Sequence, residues 1–294
     1  MHEVCERNLN RRQFLKGGLP LAGGVATLGP AWVLGEDREQ CTRWAFLSDT
    51  HVAPDPDNHY RGFYPYRNLQ EVAGQIACSP PDGVVITGDL AWIKGETEAY
   101  ENLKTLLAPV TVRRPVYLGL GNHDDRSDFS RVFGNWPGYG LTVADRQIAA
   151  VVAGPVRLIL LDSLLLDRAA GLLGQSQRTW LKTFLDASDD RPTILLFHHR
   201  PRIDLLDTPR LFDIIKPVAK VKAVVYGHSH KFGFSQYEGI HMINLPATGF
   251  NMSGIQPVGW VEARLTEKGG EFALHALGGN RKMNSSSEHL CWRA

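Results

Sequence analysis

Trp44-Ala45-Phe46-Leu47-Ser48-Asp49-Thr50-His51 is an apolar run that ends abruptly in a carboxylate and an imidazole two positions apart. As a strand it is hydrophobic on both faces, which suits a strand buried inside a layered α/β domain. The same sentence of sequence recurs along the chain. Residues 83–87 lead into Gly88-Asp89, residues 115–120 into Gly121-Asn122-His123-Asp124, residues 193–197 into His198-His199, and residues 223–226 into Gly227-His228-Ser229-His230. Between these runs, residues 66–77, 97–107, 175–185 and 208–220 carry apolar side chains at helical spacing and read as crossovers. Residues 157–161 form a further strand ending at Asp162.

Towards the C-terminus the pattern changes to alternation. Residues 240–245, 259–265 and 271–277, with a turn at Lys268-Gly269-Gly270, predict antiparallel strands that close a second sheet. Two stretches, 53–65 and 126–147, break the rhythm with Pro, Gly, Asp, Asn and aromatic residues. Long loops inside a compact domain are usually functional, so these are expected to shape the substrate site.

A chain of 294 residues, 43% hydrophobic, can bury a full core without disulfides. One catalytic domain is expected over residues 40–278, preceded by a leader at 1–35 and followed by a disordered tail at 279–294. Cys5, Cys41, Cys78 and Cys291 show no C-x-x-C spacing and read as small buried or incidental thiols. The formal charge is +1, and loss of the leader would remove Arg7, Arg11, Arg12 and Lys16 against Glu3 and Glu6, leaving about −1. Neither value gives the clustered basic surface that nucleic acid or an anionic membrane requires, so no nucleic-acid partner is expected.

The leader contains Asn10-Arg11-Arg12-Gln13-Phe14-Leu15-Lys16, followed by a weakly apolar run interrupted by Pro20 and Pro30. It resembles a twin-arginine translocation signal. That resemblance implies export of the folded, metal-loaded protein by the twin-arginine machinery to the periplasm or beyond. The Gly- and Pro-containing run is a poor membrane span, so no stable insertion is expected after processing.

Each polar cluster is weak by itself, since a single Asp at a strand end is most often a turn former. Their placement is what carries meaning, because the strand C-termini of open α/β sheets converge on ligand sites. A D-x-H or H-x-H pair can turn two donors toward one ion. An imidazole nitrogen binds one ion, whereas a carboxylate can bridge two through its two oxygens, which makes Asp89 the natural bridge.

The ordered set from Asp49-x-His51 to Gly227-His228-x-His230 resembles the calcineurin-like metallophosphoesterase superfamily, over about residues 44–232. The resemblance implies a four-layer αββα sandwich of two mixed sheets with a two-metal centre at one edge. One ion would be held by Asp49, His51 and His230 and the other by Asn122, His198 and His228, with Asp89 shared. Nitrogen and oxygen donors without thiolate suit Mn²⁺, Fe, Zn²⁺ or Co²⁺. Such a centre would hydrolyse a phosphomonoester or phosphodiester through a metal-bridged hydroxide while His123 protonates the leaving oxygen.

Many members carry an acidic residue three positions after the bridging Asp; here it is Trp92, which leaves Asp124 or another group to orient His123. Purple acid phosphatases carry a ligating Tyr there, so a purple Fe(III) chromophore is not expected. His199, Arg126, Arg200 and His59 are candidate contacts to substrate. A small phosphoester is the expected partner, with a cyclic nucleotide as the nearest variant. A catalytically silent metal or phosphate binder is the alternative from another class, and the intact donor set speaks against it. Lys231 stands where a serine-nucleophile elbow needs Gly, which argues against a serine hydrolase.

Overall fold

The alternation along each central strand sorts its side chains into different hydrophobic layers. In the computed structural model, which describes residues 40–134, 136, 141–143 and 145–294, Ala45 and Leu47 of β1 (Thr42–Leu47) face one helical layer. Trp44 and Phe46 of the same strand face the opposite sheet. Likewise Ile194 and Leu196 of β7 (Thr193–Leu196) point between the sheets, while Leu195 points to the outer helices. A strand with period 2 and apolar residues on both faces can be satisfied only between two layers. Three apolar layers therefore separate four layers of structure, in the order helix, sheet, sheet, helix. Burying each such Val, Leu, Ile or Phe contributes about 1.5–3 kcal/mol.

The first sheet has the order β13 (Ser287–Cys291), β12 (Gly269–Gly279), β11 (Pro257–Leu265), β1, β2 (Gly83–Ile86) and β3 (Val116–Leu118), with β2 and β3 parallel to β1. It is covered by α1 (Pro65–Cys78) and α2 (Thr97–Thr111). The second sheet has the order β4 (Leu141–Val143), β5 (Arg146–Ala153), β6 (Val156–Leu160), β7, β8 (Val221–Tyr226), β10 (Ile240–Asn244) and β9 (Gly233–Tyr237). Its parallel strands are β6, β7, β8 and β10. α4 (Gln175–Ala187) and α5 (Thr208–Ile215) pack on its outer face. Both parallel cores present their strand C-termini to the same edge, where the polar clusters lie. This is the αββα sandwich of two mixed sheets that the sequence implies.

Several local expectations are corrected. Ile240–Asn244 is parallel to β8, whereas β11 (Pro257–Leu265) joins the first sheet antiparallel to β1 and β12 (Gly269–Gly279) pairs antiparallel to β11. Residues 126–147 are not one loop: they contain α3 (Arg126–Phe133), β4 (Leu141–Val143) and the start of β5 (Arg146–Ala153). Asp125 caps α3 by accepting from Ser127 and Asp128 backbone N–H groups, a local signal for a helix start.

The tail is ordered. A 3-10 turn at Arg281–Met283 precedes β13 (Ser287–Cys291), which pairs with β12 and buries Leu290 in the layer between the sheets. Trp292 donates to the Thr266 carbonyl, and Arg293 donates to the carbonyls of Ile215, Val218 and Val221. The Ser run hid an alternation of apolar residues that starts at Leu290. Cys41, Cys78 and Cys291 are exposed, not buried. Among the described residues no helix is long and apolar enough to cross a membrane. The twin-arginine reading falls on residues 1–39, outside the described residues.

Candidate metal centre

At the shared edge the chain does something costly. Asp49, His51, Asp89, His228 and His230 all adopt left-handed backbone with φ between 46° and 66°. Non-glycine residues rarely sit there, and such conformations persist only where the surroundings enforce them, typically at functional sites. The expectation that Asp49 and His51 share a face by strand parity is thus replaced by a tighter device: β1 ends at Leu47 and the following residues turn in left-handed geometry. Two glycines make room. A side chain at Gly121 would collide with Asp89, and one at Gly227 would collide with Ser48 and Asp49.

The donors converge. Ligand atoms of Asp49, His51 and His230 lie within 4.8 Å of one another, as do those of Asp89, His198 and His228. The Nε2 atoms of His51 and His230 are 3.1 Å apart, and Asp49 Oδ1 is 3.3 Å from His230 Nε2. Asp89 Oδ2 lies 3.2 Å from His198 Nε2 and 3.7 Å from His51 Nε2. Asp89 Oδ1 instead accepts the His123 backbone N–H at 2.9 Å. Asp89 Oδ2 is thus the oxygen that faces histidines of both donor sets.

The residues present fit cations. His51 Nδ1 faces the Trp92 carbonyl at 3.3 Å and His230 Nδ1 faces the Phe250 carbonyl at 2.6 Å. A carbonyl can only accept, so each Nδ1 carries a proton and each Nε2 is the nitrogen left facing the other donors. Asp49 Oδ1, Asn122 Oδ1 and both ring nitrogens of His198 are buried without a hydrogen-bond partner. Orphaned polar atoms of this kind are rare in folded proteins and need an explanation. Convergent oxygen and imidazole donors supply one.

Electrostatics point the same way. Burial opposes ionisation of Asp49, but His230 and His198 outweigh it and hold the carboxyl well below its usual range. Burial likewise opposes ionisation of Asp89, and His198 and His51 again pull it down. His198, although desolvated, is pushed up to about 9 by Asp89 and Asp49. His51 is driven down to about 4, chiefly by burial.

His123 sits beside the donors, its ring centroid 5.0 Å from that of His51, with Nδ1 buried and unpartnered. Asp124 does not orient it. The Asp124 carboxylate accepts from the backbone N–H groups of Leu90, Ala91 and Gly121 and from the Tyr100 hydroxyl, stapling two ligand loops together. Its pKa is raised to about 6, first by burial and then by Asp89.

The suggested substrate contacts fare differently. His199 is fully buried, bonded through Nδ1 to Ser163 Oγ at 2.8 Å, and packed beside His228. Arg126 is committed to Asp162 through Nε and a terminal nitrogen at 2.8 and 2.9 Å and also donates to the Leu164 carbonyl. Arg126 is thereby committed to structural contacts, whereas His199 keeps Nε2 buried without a hydrogen-bond partner. Arg200 pairs with Asp204 at 3.4 Å, and the same carboxylate oxygen lies 3.9 Å from His228 Nε2. His59 is exposed, its ring beside Tyr64.

Sequence reasoning missed Phe250, whose ring packs 4.8 Å from His51 and 4.6 Å from His230 and whose carbonyl orients the latter. It also missed Ser48, which donates to the second oxygen of Asp49. The Phe250 carbonyl carries no signal, because every residue has one, and a lone Ser next to an Asp is too common a pair to mark a site.

Dense oxygen and imidazole donors at the strand ends of a two-sheet sandwich define a metal-dependent phosphoester hydrolase. The chain belongs to the calcineurin-like phosphoesterase family, whose model matches residues 42–232. It is similar to a probable cyclic nucleotide phosphodiesterase of Rhodococcus erythropolis, 31% identical over 208 residues that cover 66% of each chain. It is also similar to the 3′,5′-cyclic adenosine monophosphate phosphodiesterase CpdA of Pseudomonas aeruginosa, 26% identical over 213 residues, 69% of this chain and 74% of that one. A dimetal phosphatase from Danio rerio shares the fold with a TM-score of 0.62 at 15% identity, covering 86% of this chain and 99% of the other.

Proposed function

We propose that this metallophosphoesterase is a phosphodiesterase that opens 3′,5′-cyclic nucleotides at a dinuclear centre. The observation that carries the reading is the convergence of Asp49, His51 and His230 beside Asp89, His198 and His228, supported by the activities named for the relatives above. Asn122 completes the second set through its unpartnered Oδ1. Bound ions supply Lewis-acid polarisation of the phosphoryl oxygens and acidify a water toward neutral pH. The protein's part is to fix the donors: Trp92 and Phe250 carbonyls lock the His51 and His230 tautomers, and Asp124 pins the loops that carry Asp89 and Asn122. His123 holds a proton near the departing ester oxygen, where transfer relieves the developing charge.

The donor set, free of thiolate, favours Mn²⁺, Fe, Zn²⁺ or Co²⁺. The test loads metal-stripped protein with each in turn and follows hydrolysis of cyclic AMP, cyclic GMP, a glycerol phosphodiester and a simple monoester. Turnover of cyclic nucleotides by at least one metal form supports the proposal; hydrolysis of the monoester alone defeats it.

The Arg11-Arg12 leader supports export through the twin-arginine machinery, with the mature protein in the periplasm or outside. An Arg11→Lys plus Arg12→Lys variant should be retained in the cytoplasm, and normal export of it would refute this reading.

A further inference from the structure

Beside the metal donors runs a cleft of about 450 Å³, bounded by three loops that follow β2, β3 and β6. Asn122 and His123 line it together with the apolar Ile93 and Leu166 and the cations Lys94 and Arg168. On the other side of the centre the space is filled. Tyr60, Trp92 and Phe250 interlock with ring centroids 4.9–5.7 Å apart and pack over His51 and His230. A phosphoester bound at the donors must therefore extend its organic part along the His123 side. That is also the side on which the leaving oxygen would meet a proton.

We infer that this cleft is a nucleoside pocket, with the base held between Ile93 and Leu166 and its heteroatom edge turned toward Arg168. The inference rests on the phosphodiesterase reading above and assigns it a specificity site. Three observations support it. The volume falls in the range of small-ligand sites, about 300–1,000 Å³. Ile93 and Leu166, from separate loops, are 49% and 54% exposed, so each offers an aliphatic face that a planar ring can cover. Lys94 and Arg168 donate, and the neighbouring Asp167 accepts, which matches the mixed edge of a nucleobase. These loops are not the two stretches that the sequence singled out as substrate-shaping.

The test compares kcat/KM for cyclic AMP with that for ribose 3′,5′-cyclic phosphate lacking the base, using Mn²⁺-loaded full-length protein. The variants are Ile93→Ser, Leu166→Ser and the double substitution, all at exposed positions where the fold is expected to tolerate the change. Expected is a fall of about tenfold in the ratio of the two kcat/KM values for the double variant, mostly through KM for cyclic AMP. Affinity for adenosine 5′-monophosphate, measured by calorimetry, should weaken by a similar factor. An unchanged ratio with unchanged nucleotide affinity overturns the pocket while leaving the phosphodiesterase reading intact. If the wild type opens neither cyclic phosphate, the phosphodiesterase reading itself has failed.

Discussion

Asp89 Oδ2 lies 3.2 Å from His198 Nε2, and both side chains are buried. The same oxygen is within 3.7 Å of His51 Nε2, from the other donor set. One atom thus sits between the two sets while its twin, Oδ1, is occupied by the His123 N–H. Asp89→Asn keeps the shape and removes the charge. Substituting mere outer partners of metal ligands costs about 10–100-fold, so loss of the shared carboxylate should lower kcat/KM by more than about a hundredfold. Metal content, measured by elemental analysis, should fall below two ions per chain. Full occupancy with full turnover would contradict the shared role.

Metal affinity should rise with pH. His198 is pushed up to about 9 by Asp89 and Asp49 against the pull of burial, and His230 is raised chiefly by Asp49, also against burial. His198 therefore carries a proton at neutral pH in the metal-free chain, His230 is biased toward its protonated form, and a cation must displace such protons. Calorimetric titration in buffers of different ionisation enthalpy should show proton release, with affinity climbing until about pH 9. The linked stability effect has the opposite sign. A folded pKa raised above the unfolded 6.5 stabilises the metal-free chain fully below pH 6.5, and that contribution is lost as pH rises through about 9. Urea melts of metal-stripped protein across this window should show the decline; stability rising with pH there would oppose it.

Removal of His123 should matter in proportion to how poor the leaving group is. General acid help is worth about 10²–10⁴-fold when the departing oxygen is a strong base and far less when it is already a good leaving group. His123→Asn should therefore cost cyclic AMP hydrolysis much more than hydrolysis of a p-nitrophenyl phosphodiester. Equal losses on both substrates would show that the ring positions or binds instead of donating a proton.

The centre was legible in the sequence because each donor directly follows a hydrophobic run, and runs of that kind have little choice but to lie between layers. Asp49, Asp89, His198 and His230 stand out for that reason, and the family resemblance supplied their expected role as ligands. What escaped has a different physical character. Trp92 and Phe250 act through backbone carbonyls, which no side-chain pattern marks. The third wall of the cleft, at Leu166 and Arg168, belongs to a loop whose partner loops are distant in sequence. β9 (Gly233–Tyr237) and β13 are edge strands, where one polar face and short length weaken the alternation. Arg126 is a candidate substrate contact in the sequence, but charge alone does not say which carboxylate a guanidinium meets.

Arg126 provides the last test, since its two roles predict different measurements. Asp162 is fully buried and accepts from Arg126 Nε and a terminal nitrogen, from the Gln147 and Leu164 backbone N–H groups, and lies 3.8 Å from Arg146. The pairing ties the start of α3, just after His123, to the Leu164 end of the cleft wall. Arg126→Ala leaves the buried carboxylate with its backbone donors and Arg146 but without its bidentate partner. The cost should be about 1–3 kcal/mol of unfolding free energy, read from urea melts of the full chain. Arg126→Lys should recover only part of it, because an ammonium cannot reproduce the planar two-point contact. A guanidinium that instead bound substrate phosphate would leave stability intact and raise KM for every phosphodiester alike, so a stable Arg126→Ala variant with uniformly raised KM would reverse the structural assignment.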